Sequence, residues 1–171
     1  MKHRTPWSAA LLCWLLCLAL LTACGGSSAE AEPAGSCTVS ISCATILDNL
    51  DQLNAAKADF VPDDGVILPE TELSFTEGET AFDLLQRVCR DNGISMESSW
   101  SPLYKTAYIE GIANLYEFDC GKLSGWMYSV NGEFPNYGCS GYTLQDGDVI
   151  CWVYTCDLGQ DVGGGYAAGG E

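Results

Sequence analysis

Only one stretch of this chain carries a complete set of helix signals, so most of its apolar residues must be buried in strands. The stretch is Ala81 to Asn92. Thr80 can cap it, Asp83 stands three residues later as in a capping box, and Gly93 suits the left-handed position just past its end. Leu84, Leu85 and Val88 make the buried stripe, while Arg87 and Arg90 lie near the negative end of the helix dipole. Elsewhere the pattern turns to period two. Cys37-Thr-Val-Ser-Ile-Ser-Cys43 places Cys37, Val39, Ile41 and Cys43 on one face of a half-buried strand. Val66 to Leu68, Glu72 to Phe75 and Gly125 to Val130 read as further strands, the last closed by the hairpin dipeptide Asn131-Gly132. In Asp148 to Cys156, residues Ile150, Trp152, Tyr154 and Cys156 share one face, and Val149, Cys151 and Val153 the other, which predicts a central strand covered on each side. Ala44 to Ala58 has helical spacing, with Ile46, Leu47, Leu50 and Leu53 on one side. One strong helix among strands predicts an α+β fold.

The N-terminus is not expected to belong to that fold. Lys2 and Arg4 precede an apolar run from Trp7 to Leu21, and the small residues Thr22 and Ala23 stand before Cys24. This is the layout of a secretory signal peptide over residues 1–23. Small residues followed by cysteine further resemble the bacterial lipobox, which implies a lipid on Cys24 and an anchor at the extracytoplasmic face of the cell membrane. Residues 24–36 are small, polar and acidic and read as a flexible tether. Residues 37–161 have the size of one domain, and the Gly-rich residues 162–171 read as a disordered tail.

Removing residues 1–23 from the 171 leaves 148, with five basic against 23 acidic residues and a formal charge near −18. Such a chain is not expected to bind nucleic acid, nor to adhere electrostatically to anionic lipids. The only histidine, His3, leaves with the signal peptide. Without imidazole the commonest general base and the Ser–His and Cys–His pairings are gone, so the expectation is a protein that does not catalyse. Gly138-Cys139-Ser140-Gly141 is not a nucleophile elbow. The carboxylates Asp146, Asp148, Asp157 and Asp161 lack the spacing of a calcium loop, and no metal is expected.

Seven cysteines follow Cys24: Cys37, Cys43, Cys89, Cys120, Cys139, Cys151 and Cys156. Outside the cytosol this density reads as disulfides, and an odd number leaves one thiol over. Cys120 and Cys139 flank Asn131-Gly132 almost symmetrically, so antiparallel pairing would bring them together. Cys151, facing away from Cys156, is the expected odd thiol.

Gly78-Glu-Thr-Ala-Phe-Asp-Leu-Leu85, Gly125-Trp-Met-Tyr-Ser-Val-Asn-Gly132, Tyr142 and Asp146-Gly-Asp-Val-Ile-Cys-Trp152, trailing into Tyr154-Thr-Cys-Asp-Leu-Gly159, occur in an order with a known counterpart. Together they resemble the bacterial transcobalamin-like C-terminal domain family, over nearly all of Cys37 to Gly159. The resemblance implies a β-grasp-like mixed sheet packed on one main helix, with Ala44 to Ala58 as a helical insertion after the first strand. It also implies that first and last strands are parallel neighbours, which would join Cys43 to Cys156. A corrinoid is the ligand it points to. In the vertebrate carriers the ligand lies between this domain and a separate α/α-barrel, and 148 residues are too few for both, so this chain would supply at most half a pocket.

Aromatic residues crowd the second half. Trp152 is expected in the core. Trp126 and Tyr128 share a strand face and are either both core or both exposed. The loop Phe134-Pro-Asn-Tyr137 is the expected exposed patch, because Pro135 ends strand pairing. Trp126, Tyr128, Phe134 and Tyr137 are therefore the candidate binding residues, for a small ligand or, as an adaptor domain, for a surface protein partner. An enzyme working without histidine, through paired carboxylates, is the third class considered.

Overall fold

The computed structural model describes residues 32–165. The expected signal peptide with Cys24, most of the expected tether and the end of the expected tail lie outside the described residues. Among these residues no helix is long and apolar enough to cross a membrane.

The fold is α+β, with two sheets and one main helix. β1 (Gly35–Ser42) buries Cys37, Val39 and Ile41 and turns its Thr and Ser residues outward, as its alternation demands. It begins two residues before the domain was expected to start. β2 (Val66–Phe75) is one ten-residue strand where the sequence read as two short ones. Pro69 interrupts the pattern but not the strand. The register with β1 shifts between Val39↔Thr71 and Ile41↔Leu68, a bulge that absorbs Pro69 and Glu70 on an edge strand.

The helix α1 spans Ala81–Asn92, with its capping box formed, Gly93 at φ 66°, and Ala81, Leu84, Leu85, Val88 and Cys89 buried. β3 (Met96–Ser101), β4 (Thr106–Ile112) and β5 (Leu115–Tyr116) form a second, antiparallel sheet that the sequence reading did not contain. β6 (Gly125–Val130) and β7 (Val149–Thr155) complete the first sheet, whose order is β2-β1-β7-β6. β1 and β7 are parallel neighbours at its centre, and the other pairs are antiparallel.

Three expectations are corrected here. Ala44 to Ala58 is not one helix but two 3-10 segments, Ala44–Asp48 and Ala55–Phe60. Asn49 and Asn54 divert hydrogen bonds to their own side chains, to Thr45 O and from Ala56 N, which competes with a continuous helical ladder. Ile46 is buried as expected, but Leu50 is exposed. Second, Asn131 and Gly132 do turn, at φ 53° and 84°, yet the turn closes only the bridge Val130↔Glu133. No second hairpin strand follows, and β6 pairs instead with β7. Third, β7 is central but covered on one face. Ile150, Trp152 and Tyr154 are buried, whereas Val149 is exposed and Cys151 and Val153 are half-buried. Helix α1 (Ala81–Asn92) covers only one side of the sheet.

The buried residues fall into two clusters. The larger joins α1 to β1, β4 and β7 through residues such as Leu84, Leu85, Val39, Ile112, Ile150 and Trp152. The smaller holds Cys43, Ile46, Leu115, Cys120, Tyr154 and Cys156. Trp126 packs against both.

Candidate functional site

A cleft of about 600 Å³ opens where the two sheets meet. β4 supplies one wall with Thr106 to Ile109, β6 the other with Trp126 to Tyr128, and Trp152 lies between them. The loop Pro135–Cys139 and the β3–β4 turn, with Ser101 and Tyr104, form the rim.

Each aromatic side chain is positioned by identifiable contacts. Tyr128 stacks on Trp152, its cross-strand partner, with ring centroids 5.4 Å apart, and its hydroxyl donates to Tyr137 O at 2.9 Å. Trp126 meets Tyr154 edge-on at 5.2 Å, and its Nε1 donates to Leu115 O at 2.8 Å. The Tyr137 side chain stays half exposed above the cleft. Tyr108 donates its hydroxyl to Glu117. Its pKa is pushed up to about 12, first by burial and then by that carboxylate, so it stays protonated at neutral pH.

The rim loop is stitched to β4. Ser140 N donates to Thr106 Oγ1 at 3.3 Å, Ala107 N donates to Ser140 Oγ at 3.1 Å, and Cys139 Sγ reaches Ala107 O at 3.7 Å. Gly138 lies so close to Thr106 that a Cβ would sit 2.1 Å from Thr106 Oγ1. Burial pushes the Cys139 thiol up to about 11, so it is no thiolate nucleophile. Among the described residues, Trp152 Nε1 is the buried side-chain nitrogen or oxygen left with no hydrogen-bond partner. Such an orphan is uncommon, because a buried N–H without an acceptor costs about 1–3 kcal/mol. Here it belongs to a residue lining the cleft.

Of the four candidate residues, the fold brings Trp126, Tyr128 and Tyr137 together around this cleft. Phe134 is not among the lining residues; it packs against Gly164, where an added Cβ would lie 2.5 Å from its ring. Ser101, Tyr104, Thr106 and Tyr108 were missed, because β3 and β4 went unread. The available signal was the aromatic spacing of Trp100, Tyr104 and Tyr108. At the tip of that hairpin Trp100, Leu103 and Tyr104 are 61%, 79% and 75% exposed, an apolar patch beside the cleft mouth.

Of the expected disulfide pairs, Cys120 and Cys139 fall in different buried clusters, whereas Cys43 and Cys156 share the smaller one. All seven cysteines outside the N-terminal segment are free thiols here. Cys139 lies in the larger cluster and Cys120 in the smaller, since no hairpin strand carries Cys139 back alongside Cys120. The β1–β7 ladder ends at Ser42↔Val153, so one step further Cys43 comes level with Tyr154, two residues short of Cys156. That offset is roughly 6–7 Å along a strand. Among the described residues no group of three or more His, Cys, Asp or Glu could hold a metal ion.

Fold and cleft define a small α+β domain with an aromatic-lined groove between its sheets. Residues 78–156, which include every residue lining the cleft, match the model of a family described as a domain of unknown function (DUF4430). No curated protein matches the chain. Solved structures similar to it include a protein of Ruminococcus gnavus described as a candidate metal-binding protein, at 17% identity and a TM-score of 0.39, covering 71% of this chain and 96% of that one. Haptocorrin in complex with Cbi is similar at 17% identity and a TM-score of 0.46, covering 79% of this chain but 29% of that one.

Proposed function

We propose that this chain is a non-catalytic ligand-binding module, carried on a lipid at Cys24 on the outer face of a membrane, and that the cleft between its sheets is the binding site. The observation that carries this reading is the cleft's lining. Tyr104, Trp126, Tyr128 and Tyr137 converge on one groove of a size typical of small-molecule sites, and its polar side chains, mostly hydroxyls, include no Asp, Glu, Lys or Arg. Flat aromatic faces favour a flat, largely apolar ligand, with the hydroxyls satisfying polar groups at its edge. The β-grasp-like resemblance in sequence makes a corrinoid the first ligand to try. An open groove suits a domain that covers one side of such a ligand.

Titration of the purified domain with cobinamide and with cobalamin, followed by tryptophan fluorescence, tests this. Binding is expected, and Tyr137→Ala and Tyr104→Ala should each weaken it about tenfold or more, with stability changed by less than about 1 kcal/mol. No fluorescence change with either corrinoid up to millimolar concentration removes the corrinoid reading.

A second reading, a docking domain for a surface protein, is favoured by one feature, the exposed tip of Trp100, Leu103 and Tyr104. Trp100→Ser with Leu103→Ser should then abolish capture of a partner while leaving corrinoid titrations unchanged.

A further inference from the structure

The exposed tip of the β3–β4 hairpin has a defined place relative to the start of β1. Thr106 opens β4 just past the tip, and its Oγ1 accepts from Ser140 N at 3.3 Å. From that loop Tyr142 N donates to Cys139 O at 3.4 Å, and Tyr142 OH donates to Asp148 Oδ2 at 2.8 Å. Asp148 O accepts from Thr38 N, and Gly147 N donates to Ser36 O, the second residue of β1, each at 2.8 Å. At the other end of β4, Ile112 pairs with Leu115, whose carbonyl accepts from Trp126 Nε1, and Trp126 lies opposite Tyr154 near the end of β7. β4 therefore starts where β1 and β7 start. The tip projects from the end of the sheets at which the chain enters the fold. Gly35 stands eleven residues after Cys24, a span of at most about 40 Å when fully extended. A lipid on Cys24 would hold this end of the domain close to the bilayer.

The tip has the composition for such a surface. Leu103 and Tyr104 are the most exposed large apolar side chains among the described residues, and Trp100 belongs to the same patch. Ser98 to Ile109 contains no Asp or Glu in a chain that has 23 of them, and its one charge is Lys105. Phe134 to Gln145, which includes the rim loop of the cleft, contains no charged residue at all. Pro102 lacks an N–H, which leaves one polar group fewer to desolvate at the turn.

We propose, resting on the lipid-anchor reading of Cys24, that this tip seats Trp100, Leu103 and Tyr104 in the headgroup interface of the same membrane. Trp and Tyr rings favour the boundary between headgroups and acyl chains, Leu103 reaches below it, and the Lys105 ammonium stays among the phosphates. The attraction is apolar and needs no anionic lipid, which agrees with the strongly acidic composition of the chain. A contact of this size is weak in free solution, but a tether makes it intramolecular and raises its effective concentration. Tyr104 and Tyr137 line the cleft rim, so the cleft mouth then opens at the bilayer surface.

The test uses the chain from residue 24 onward, which keeps the whole compact unit Glu32–Glu171, with a hexahistidine tag in place of Cys24. It is bound to phosphatidylcholine vesicles that contain a nickel-chelating lipid and either plain or brominated acyl chains. The tag stands in for the lipid, so the outcome does not depend on modification of Cys24, which mass spectrometry of the native protein tests separately. Three tryptophans remain, Trp100, Trp126 and Trp152. Bromine should quench the Trp100 part of the emission. Trp100→Phe should abolish the bromine-dependent loss while Trp126 and Trp152 still emit, and Leu103→Asp should lower the loss to the same level. Equal emission from the parent chain in plain and brominated vesicles overturns the proposal and leaves the tip to a protein partner. Quenching that survives in Trp100→Phe also overturns it, because another face then meets the lipid. So does quenching that Leu103→Asp leaves unchanged.

Discussion

Trp152 answers to two demands that pull apart. Its ring fills the space between α1, β4 and β6, while its indole N–H finds no acceptor there. Truncation to alanine should cost roughly 3–5 kcal/mol through the cavity it leaves. Trp152→Phe keeps a ring and deletes the orphan donor, so its cost should be well below that of alanine, about 2 kcal/mol or less in chemical denaturation. Equal losses for the two variants would mean that the N–H is satisfied. Asp148 is the opposite case, a buried carboxylate that accepts three hydrogen bonds. Its oxygens accept from Asn131 Nδ2 at 2.9 Å, Tyr142 OH at 2.8 Å and Gln145 N at 2.8 Å. Asparagine carries one acceptor and one NH₂ group, and either placement turns a donor toward a donor. Asp148→Asn should therefore cost about 2–3 kcal/mol although it is nearly isosteric. A loss under about 0.5 kcal/mol would show that the network is dispensable.

Among elements, the rim loop is the one whose geometry sets the width of the cleft. Gly138 allows the loop to lie against Thr106, and any side chain there must push one of them away. Gly138→Ala should cost about 1–3 kcal/mol and loosen Ser140 from β4, with hydrogen exchange at Ala107 N–H rising. Unchanged exchange there would show that the loop shifts without leaving the strand. The elements also differ in how far they could be read in advance. α1 was legible to the residue because its cap, stripe and terminal glycine are local signals. β1 and β7 were legible because their alternation is unbroken, and that placed Trp152 in the core. β3 was not, because Met-Glu-Ser-Ser-Trp-Ser has no apolar face of its own and becomes a strand only by pairing with β4. Half of the cleft went unseen with it. The partners of Asn131 misled for a related reason. The turn is local, but the strand that follows a turn is a tertiary matter, and here it lies beyond Asp148.

Over the whole molecule the ionisable groups of the core share one direction. Burial pushes Cys37, Cys43, Cys89 and Cys139 up to about 11 and Cys156 to about 12, and it does the same to Tyr142 and Tyr154, also to about 12. Their ordinary values are 9.0 for the thiols and 10.0 for the phenols. Above pH 9 the folded chain thus holds more protons than the unfolded one, so stability falls as pH rises. It should be fully present below about pH 9 and be lost progressively to about pH 12. Thermal melts of the reduced protein across that range check this, and a melting temperature that stays level to pH 11 would contradict it. The sheet order has a further consequence, for the timing of folding. Its two central strands come from opposite ends of the domain, residues 35–42 and 149–155, and every other strand of that sheet hangs on them. A chain emerging from the ribosome has no second half for its first strand until the last one is free. Folding must await near-complete synthesis, and it pays for its longest loop first, a topology that makes for slow folders. Any truncation before Val149 leaves β1 without its parallel neighbour, and with it the floor on which the cleft is built.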